Sequence, residues 1–168
     1  MRVILRWVGQ RTATGTGWKG PLGSIQLKEV RPIAMILLGH TGQVLTIERS
    51  GFGEPDTPAD EDLLLNVTVV VGGYSAADQA WVAASDWRGF MHELRDLEKA
   101  RQGQAKLIGA SPQDLQLTFK ATDRAGHMAV SGFVGRQRPD GFYQKCEFGF
   151  SFDAGMLSSV VREFADLG

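Results

Sequence analysis

The sequence LLLNVTVVVGG, residues 63–73, indicates the fold of this chain most directly. Every second residue of its first nine is apolar, and the positions between them include Asn66 and Thr68. Because successive side chains of a strand point to opposite faces of a sheet, this alternation predicts a strand with one buried face. The pair Gly72-Gly73 predicts a tight turn into a further strand.

The pattern continues on both sides of this stretch. Residues 44–49 predict a preceding strand, the apolar run at 33–38 also has strand length, and residues 78–85 predict a strand that pairs back across the turn. Residues 51–62, GFGEPDTPADED, are rich in Gly, Pro and acidic side chains, which exclude regular structure. We therefore expect an exposed acidic loop between two antiparallel strands.

Two amphipathic helices are predicted, one after each of two runs of strands. Ser85 or Asp86 can cap the first helix, which ends near Gly103, and Asp153 can cap the second. The apolar stripe of the first helix consists of Phe90, Met91, Leu94 and Leu97. The stripe of the second consists of Met156, Leu157, Val160, Val161, Phe164 and Leu167. Between the helices, strands are predicted at 105–108, 115–119, 128–134 and 142–152.

This order of elements favours an α+β fold, with mainly antiparallel strands in two runs and one amphipathic helix packed on the sheet after each run. The first helix closes with Glu93-Leu-Arg-Asp-Leu97 and the second with Glu163-Phe-Ala-Asp-Leu167. The similarity predicts a weak internal duplication, with halves at 35–103 and 104–168. We expect residues 35–168 to form a single domain.

The first 34 residues differ from the rest of the chain. They carry six basic residues against one acidic residue, and the remainder carries 12 basic and 18 acidic residues, a net charge of −6. They are also rich in Gly and lack a sustained period, which predicts a poorly ordered basic leader. Two interpretations stay open: a basic arm for nucleic acid or an acidic surface, and a flexible leader or misplaced start with translation beginning near Met35.

Composition and motifs exclude several classes of function. The only cysteine, Cys146, allows no internal disulfide and favours the cytoplasm, and no stretch approaches the roughly 18–20 apolar residues of a membrane helix. The histidines His40, His92 and His127 are far apart and show no partner at metal-ligand spacing. The glycine-rich stretch 15–20 lacks the Lys-Ser/Thr of a phosphate loop. We therefore expect no catalytic residues, no metal and no cofactor.

The acidic loop is the strongest candidate for a binding site. Its carboxylates lack the spacing of a calcium loop, so the alternatives are a solvated face and a patch that is complementary to a basic partner. Two tryptophans nearby in sequence are either aromatic anchors or core residues. The candidate partner-binding residues are Glu54, Asp56, Asp60, Glu61, Asp62, Trp81 and Trp87.

From about Met35 onward, the chain resembles small bacterial immunity proteins of the WapI type. The resemblance rests on the order and spacing of several segments: ILLG from Ile36, the strand end VGGY at Tyr74, FMHELRDL from Phe90 with GQAKL from Gly103, GHMAVSG from Gly126, and FGFSFD from Phe148, followed by the terminal helix. The basic leader departs from the family pattern. The resemblance implies no enzymatic residues.

What the resemblance does imply is tight, stoichiometric binding of a cognate toxin in the cytoplasm. We expect neither a membrane nor a nucleic acid as a partner. A basic nuclease is one candidate toxin, because the domain is acidic. The alternative function is that of a small-molecule-binding or sensory domain with a pocket between sheet and helices.

Overall fold

The computed structural model describes residues 34–168; the predicted basic leader lies outside them except for Ala34. The described part contains eight strands, two α-helices and a short 3-10 helix at Ala154–Met156. The first run comprises β1 (Ala34–Leu38), β2 (Val44–Phe52), β3 (Leu63–Val71), β4 (Tyr74–Val82) and α1 (Ala84–Ala100). The second run comprises β5 (Gln104–Ile108), β6 (Leu115–Ala121), β7 (Met128–Gln137), β8 (Tyr143–Phe152) and α2 (Leu157–Leu167).

The strands form two antiparallel four-stranded sheets, which confirms the predicted α+β class. The first sheet has the order β1-β2-β3-β4 and the second sheet has the order β5-β6-β7-β8. In β3 the alternate residues predicted to face the core, such as Leu65 and Val67, are fully buried, whereas Thr68 is exposed. Antiparallel neighbours need only short connections, which is why each sheet follows the order of the chain.

The predicted stripe of α1 is fully buried, and that of α2 is buried except for Met156 and Val161, which are partly buried against the same continuous core. Phe164 of α2 lies at its centre, with ring centroids 5.0 Å from Phe90, 5.7 Å from Phe119 and 5.7 Å from Trp87. Edge-to-face aromatic pairs at these distances add stability beyond their buried area. Since the rings come from α1, α2 and the second sheet, the two runs of the chain share one core.

Each helix also lies beside the first strand of a sheet. The Glu93 carboxylate of α1 accepts a hydrogen bond of 2.8 Å from the backbone N–H of Lys106 in β5. The Glu163 carboxylate of α2 accepts one of 3.1 Å from the N–H of Ile36 in β1. Both N–H groups belong to the third residue of an edge strand, where a backbone donor otherwise lacks a partner. The two runs therefore share element order and edge contacts, and duplication of the halves 35–103 and 104–168 remains a proposal.

Two details of the first run correct the sequence predictions. The strand predicted at 78–85 is Tyr74–Val82, because Gly72-Gly73 forms a two-residue connection and Val71 pairs directly with Tyr74. Neither Ser85 nor Asp86 caps α1: the helix begins one residue after Ala83, whose side chain makes no capping bond. The predicted cap of the second helix is confirmed, since Asp153 accepts a hydrogen bond of 2.7 Å from Gly155 N–H at the start of the terminal helical segment.

Candidate partner-binding surface

The acidic loop, residues 53–62, is held in shape by its own backbone. Gly53 N–H donates to the Asp62 carbonyl at 2.8 Å and closes the loop at its base. Any side chain at position 53 would collide with the carbonyl of Ala59, since a Cβ there would lie 1.5 Å from that oxygen. The Thr57 hydroxyl donates to the Glu54 carbonyl at 2.7 Å. The loop therefore presents its acidic side chains from a defined backbone.

Asp62 serves the fold of the first run. Its carboxylate accepts a hydrogen bond of 2.9 Å from the backbone N–H of Ala84, the first residue of α1. The first N–H groups of a helix have no partner within the helix, and an aspartate satisfies them well. The cap that the sequence places at Ser85 or Asp86 thus comes from a residue more than twenty positions earlier, which local sequence reasoning missed.

Glu61, like Asp62, contacts α1, whereas the other three loop carboxylates have no partner among residues 34–168. The Glu61 carboxylate lies 2.7 Å from the Arg88 guanidinium, and both side chains are about 70% exposed. The side chains of Glu54, Asp56 and Asp60 are exposed and take part in no hydrogen bond or ion pair among the described residues. These three carboxylates form the acidic rim, a name kept for them below.

A groove with a volume of about 550 Å³ lies between the loop and the start of α1. Its apolar floor is formed by Phe52, Leu63 and Trp87, and Asp60 with Arg88 line its polar side. Phe52 is 52% exposed, a large fraction for an aromatic ring in a strand. The groove combines an apolar surface with acidic groups at its border.

Phe52 is the residue of this groove that sequence analysis missed, because the Gly51-Phe-Gly segment was assigned to the loop. The ladder between β2 and β3 shifts between Arg49 and Gly51, and this bulge brings Phe52 opposite Leu63. The Arg49 guanidinium lies 4.4 Å from the Phe52 ring centroid and donates to the Leu167 carbonyl at 2.7 Å. Arg49 thus holds Phe52, which is part of the groove floor, next to the end of α2.

The two candidate tryptophans lie in different environments. Trp87 is 6% exposed and packs in the core, where its ring contacts Phe90 and Phe164, so only its edge reaches the groove. Trp81 is 43% exposed and lies beside Leu64 on the side of the first sheet that faces away from the core. The core alternative therefore describes Trp87, and Trp81 is the exposed aromatic residue.

Two of the three histidines, His92 and His127, have carboxylate partners that sequence analysis did not identify. His127 Nδ1 lies 2.5 Å from the Asp123 carboxylate, and His92 Nε2 lies 3.4 Å from that of Asp96. The hydrogen bond to Asp123 raises the pKa of His127 above its ordinary 6.5 and lowers the pKa of Asp123 below 3.8. Within residues 34–168, no group of three or more His, Cys, Asp or Glu residues could hold a metal ion.

Cys146 and His40, the other residues with reactive side chains considered above, take part in packing and in a backbone contact. Cys146 is half-buried in β8 and packs against the core. His40 lies in the connection between β1 and β2, where its backbone N–H donates to the Ser151 carbonyl. None of the helices in the described part of the chain is long and apolar enough to cross a membrane.

The acidic rim, the groove and the exposed Trp81 are the candidate binding features of the described residues. The chain belongs to the WapI-like immunity protein family, whose model matches residues 35–167. This match confirms the resemblance drawn from the sequence. No curated protein and no solved structure matches the chain.

Proposed function

We propose that this immunity protein neutralises a cognate bacterial toxin in the cytoplasm by tight, stoichiometric binding and without catalysis. The family supports the immunity role. The observation that carries the proposal is the acidic rim beside the groove, because Glu54, Asp56 and Asp60 are exposed and free of contacts within the described residues. Carboxylates without partners in their own chain can pair with cations of a partner, which steers association and sets specificity more than it raises affinity.

The charge of the domain indicates the chemistry of the toxin. Residues 35–168 carry a net charge of −6, and like charges clustered at one place steer a partner of opposite sign. A basic toxin surface, such as that of a nuclease that binds nucleic acid, fits this requirement. The acidic rim would then raise the association rate and orient the toxin over the groove.

The groove would supply short-range affinity after this encounter. Its floor of Phe52, Leu63 and the edge of Trp87 can receive one large apolar side chain of the toxin. Anchors of this kind, buried in a pocket and surrounded by polar contacts, contribute most of the binding energy in protein interfaces. Arg49 holds Phe52 in place, so the groove is formed before the partner arrives.

The test uses the C-terminal domain of a toxin encoded beside the gene for this chain. Calorimetry should give one-to-one binding with a dissociation constant near the nanomolar range, roughly −12 kcal/mol. The variant Asp56→Asn with Asp60→Asn should slow association about tenfold at low salt, and the difference should shrink as salt screens the charges. Asn tolerates the positive φ of 62° at position 56, so the loop should keep its shape.

A matched control separates local charge from total charge. The variant Glu98→Gln with Asp166→Asn removes the same amount of negative charge from the helices and should leave association almost unchanged. Equal effects of both pairs would contradict a role for the acidic rim. Absence of binding by the unaltered chain, or absence of a toxin gene, would contradict the immunity function for this toxin.

The size of the groove also favours a second candidate function. A volume of about 550 Å³ lies within the range of small-molecule sites, roughly 300–1,000 Å³. A sensory or ligand-binding domain would show a ligand-dependent rise in melting temperature against a metabolite library. Loss of that rise in Phe52→Ala would assign the ligand to this groove.

A further inference from the structure

The first sheet has an outer side that points away from the core, and the residues of its own four strands on this side are almost all uncharged. Arg136 of β7, which pairs with Asp78, borders this side next to Thr68 and Ala77. Pairing of β1 to β4 aligns its residues in rows, of which the central one is Ile36–Thr46–Thr68–Ala77. The outer face of the first sheet consists of Ala34, Ile36, Leu38, Val44, Thr46, Glu48, Gly51, Leu64, Asn66, Thr68, Val70, Ser75, Ala77, Gln79 and Trp81. Only Glu48 among these fifteen residues is charged.

Large apolar side chains on this face lie next to one another. Leu38, Val44 and Val70 form part of one row across three strands, and Leu38 is 52% and Val70 37% exposed. Ile36 is 50% exposed in the neighbouring row, and Trp81 lies at the other end of the sheet. Single exposed apolar residues are normal on protein surfaces, whereas contiguous ones on an uncharged surface mark an interaction site.

The outer face of the second sheet provides an internal control. Its central row, Lys106–Thr118–Ser131–Gly149, carries a lysine at the position that Ile36 occupies in the first sheet. Lys120, Lys145 and Glu147 lie in other rows of the same face. Its one aromatic residue in these rows, Phe133, is covered by Lys145, whose Nζ lies 3.8 Å from the ring centroid. The same arrangement of strands therefore has a charged surface here.

We propose that the outer face of the first sheet is the main docking surface for the toxin, in addition to the acidic rim. This inference rests on the proposed function. The row Gly51–Leu64–Trp81 ends the face, and the acidic loop begins two residues after Gly51, so the two surfaces adjoin. The partner is therefore a protein with an uncharged apolar patch that is bordered by basic residues on the side that meets Trp81.

The area of the face argues against a second copy of this chain as its occupant. Four strands at the usual spacing make the face about 20 Å wide, and six residue steps along β3 make it about 20 Å long. The face therefore measures roughly 400 Å². A stable interface buries about 800 Å² on each partner. Two copies stacked on this face alone would reach half of that value. A toxin that covers the face can continue over the adjoining acidic loop and bury additional area there.

The chain offers a matched pair of substitutions for the test. Thr46 and Thr118 are half-buried threonines in the second strand of each sheet. Thr46 pairs with Ile36, whose N–H donates to Glu163. In the same way, Thr118 pairs with Lys106, whose N–H donates to Glu93. Arginine at either position adds the same bulk and charge to a solvent-facing row. Thr46→Arg should weaken binding of the toxin domain roughly 100-fold or more, and Thr118→Arg should change it by less than about threefold.

A second variant shows whether a loss of binding by Thr46→Arg results from misfolding. Thr68 is exposed and pairs with Thr46 in the same row of the outer face. Thr68→Arg should therefore produce the same loss of binding. Far-UV circular dichroism and the melting temperature of each variant should match the unaltered chain. If both outer-face variants bind as tightly as Thr118→Arg while the unaltered chain binds the toxin, this inference is overturned and the immunity function stands. If the unaltered full chain does not bind, both proposals fail.

Two further measurements exclude other occupants. Sedimentation of the full chain should show a monomer at micromolar concentration, and a dimer that Thr46→Arg dissociates would assign the face to a second copy instead. Oxidative labelling of Trp81 in the monomeric full chain should be rapid and should slow when the toxin domain binds. Slow labelling in the isolated monomer would assign the face to other residues of the same chain. Either result overturns the docking proposal.

Discussion

The two runs of this chain share a framework but present different surfaces. Each has four antiparallel strands in chain order followed by a helix. The helix glutamate of each run bonds the third residue of the other run's edge strand, Glu163 to Ile36 and Glu93 to Lys106. The outer face of the first sheet, however, has one charged residue, whereas the second carries several.

This difference separates what folding requires from what it leaves free. Edge strands need partners for their backbone groups and apolar stripes need a core, so those features recur in both runs. Outward-facing residues have no such constraint. The solvent-facing side of a sheet ordinarily carries polar and charged residues. The outer face of the first sheet carries few charged residues, and a partner that covers it would explain this.

The largest expected effect tests whether the two runs fold as one unit. Phe164→Ala removes the ring that contacts Trp87, Phe90 and Phe119, and should lower the free energy of unfolding by about 3–5 kcal/mol. Urea unfolding followed by fluorescence and circular dichroism should remain a single transition, because both runs share this core. Two separate transitions would show that the runs fold independently.

Capping of α1 tests a contact that differs between the runs, because α1 is capped by the distant Asp62 whereas the terminal helical segment is capped by the adjacent Asp153. Asp62→Ala removes the carboxylate that accepts from Ala84 N–H and should lower stability by about 1 kcal/mol, up to about 2. The neighbouring Glu61→Ala, which breaks an exposed ion pair with Arg88, should change stability by less than about 0.5 kcal/mol. Equal losses in thermal denaturation would mean that the loop stabilises the fold through charge and not through the cap.

The paired glutamates test the similarity of the runs directly. Glu93→Ala and Glu163→Ala each remove one hydrogen bond to an edge strand, and each should cost about 1 kcal/mol in chemical denaturation. Asp166→Ala, an exposed carboxylate on α2, should stay within about 0.5 kcal/mol of the unaltered chain. Strongly unequal losses from the two glutamates would show that the shared framework is only apparent.

The sequence predicted much of this framework because strong periodicity determines strand and helix faces. The alternation in β3 and the stripes of α1 and α2 all face the core as expected. Contacts between residues far apart in sequence were missed. Asp62 caps a helix that starts at Ala84, and nothing in the local pattern distinguishes it from Ser85 or Asp86 as the cap.

The binding surfaces were predictable only in part. Acidic composition identified the loop, but which carboxylates stay free depends on the positions of Ala84 and Arg88 in α1. The outer face of the first sheet escaped sequence analysis for a different reason. Its lack of charge appears only when the register aligns residues from four strands, for example Leu38 with Val44 and Val70, and register cannot be derived from a single chain.

The smallest expected effect lies in the connection between β6 and β7, the counterpart of the acidic loop in the second run. There, the hydrogen bond between Asp123 and His127 raises the pKa of His127 and lowers that of Asp123. A raised histidine pKa stabilises the fold below 6.5, and this contribution is lost as pH rises through the raised value. A lowered aspartate pKa stabilises the fold above 3.8, and this contribution is lost as pH falls through the lowered value.

The pair should therefore contribute most between about pH 3.8 and 6.5, where both groups are charged. NMR titration should give a pKa for His127 above 6.5 that returns toward 6.5 in Asp123→Asn. The difference in melting temperature between the unaltered chain and that variant should be largest near pH 5.5 and shrink toward pH 8. Asp60→Asn in the acidic loop, which has no histidine partner, should show no such pH-dependent difference. A constant difference for Asp123→Asn would indicate that its backbone bonds, and not its charge, stabilise this connection.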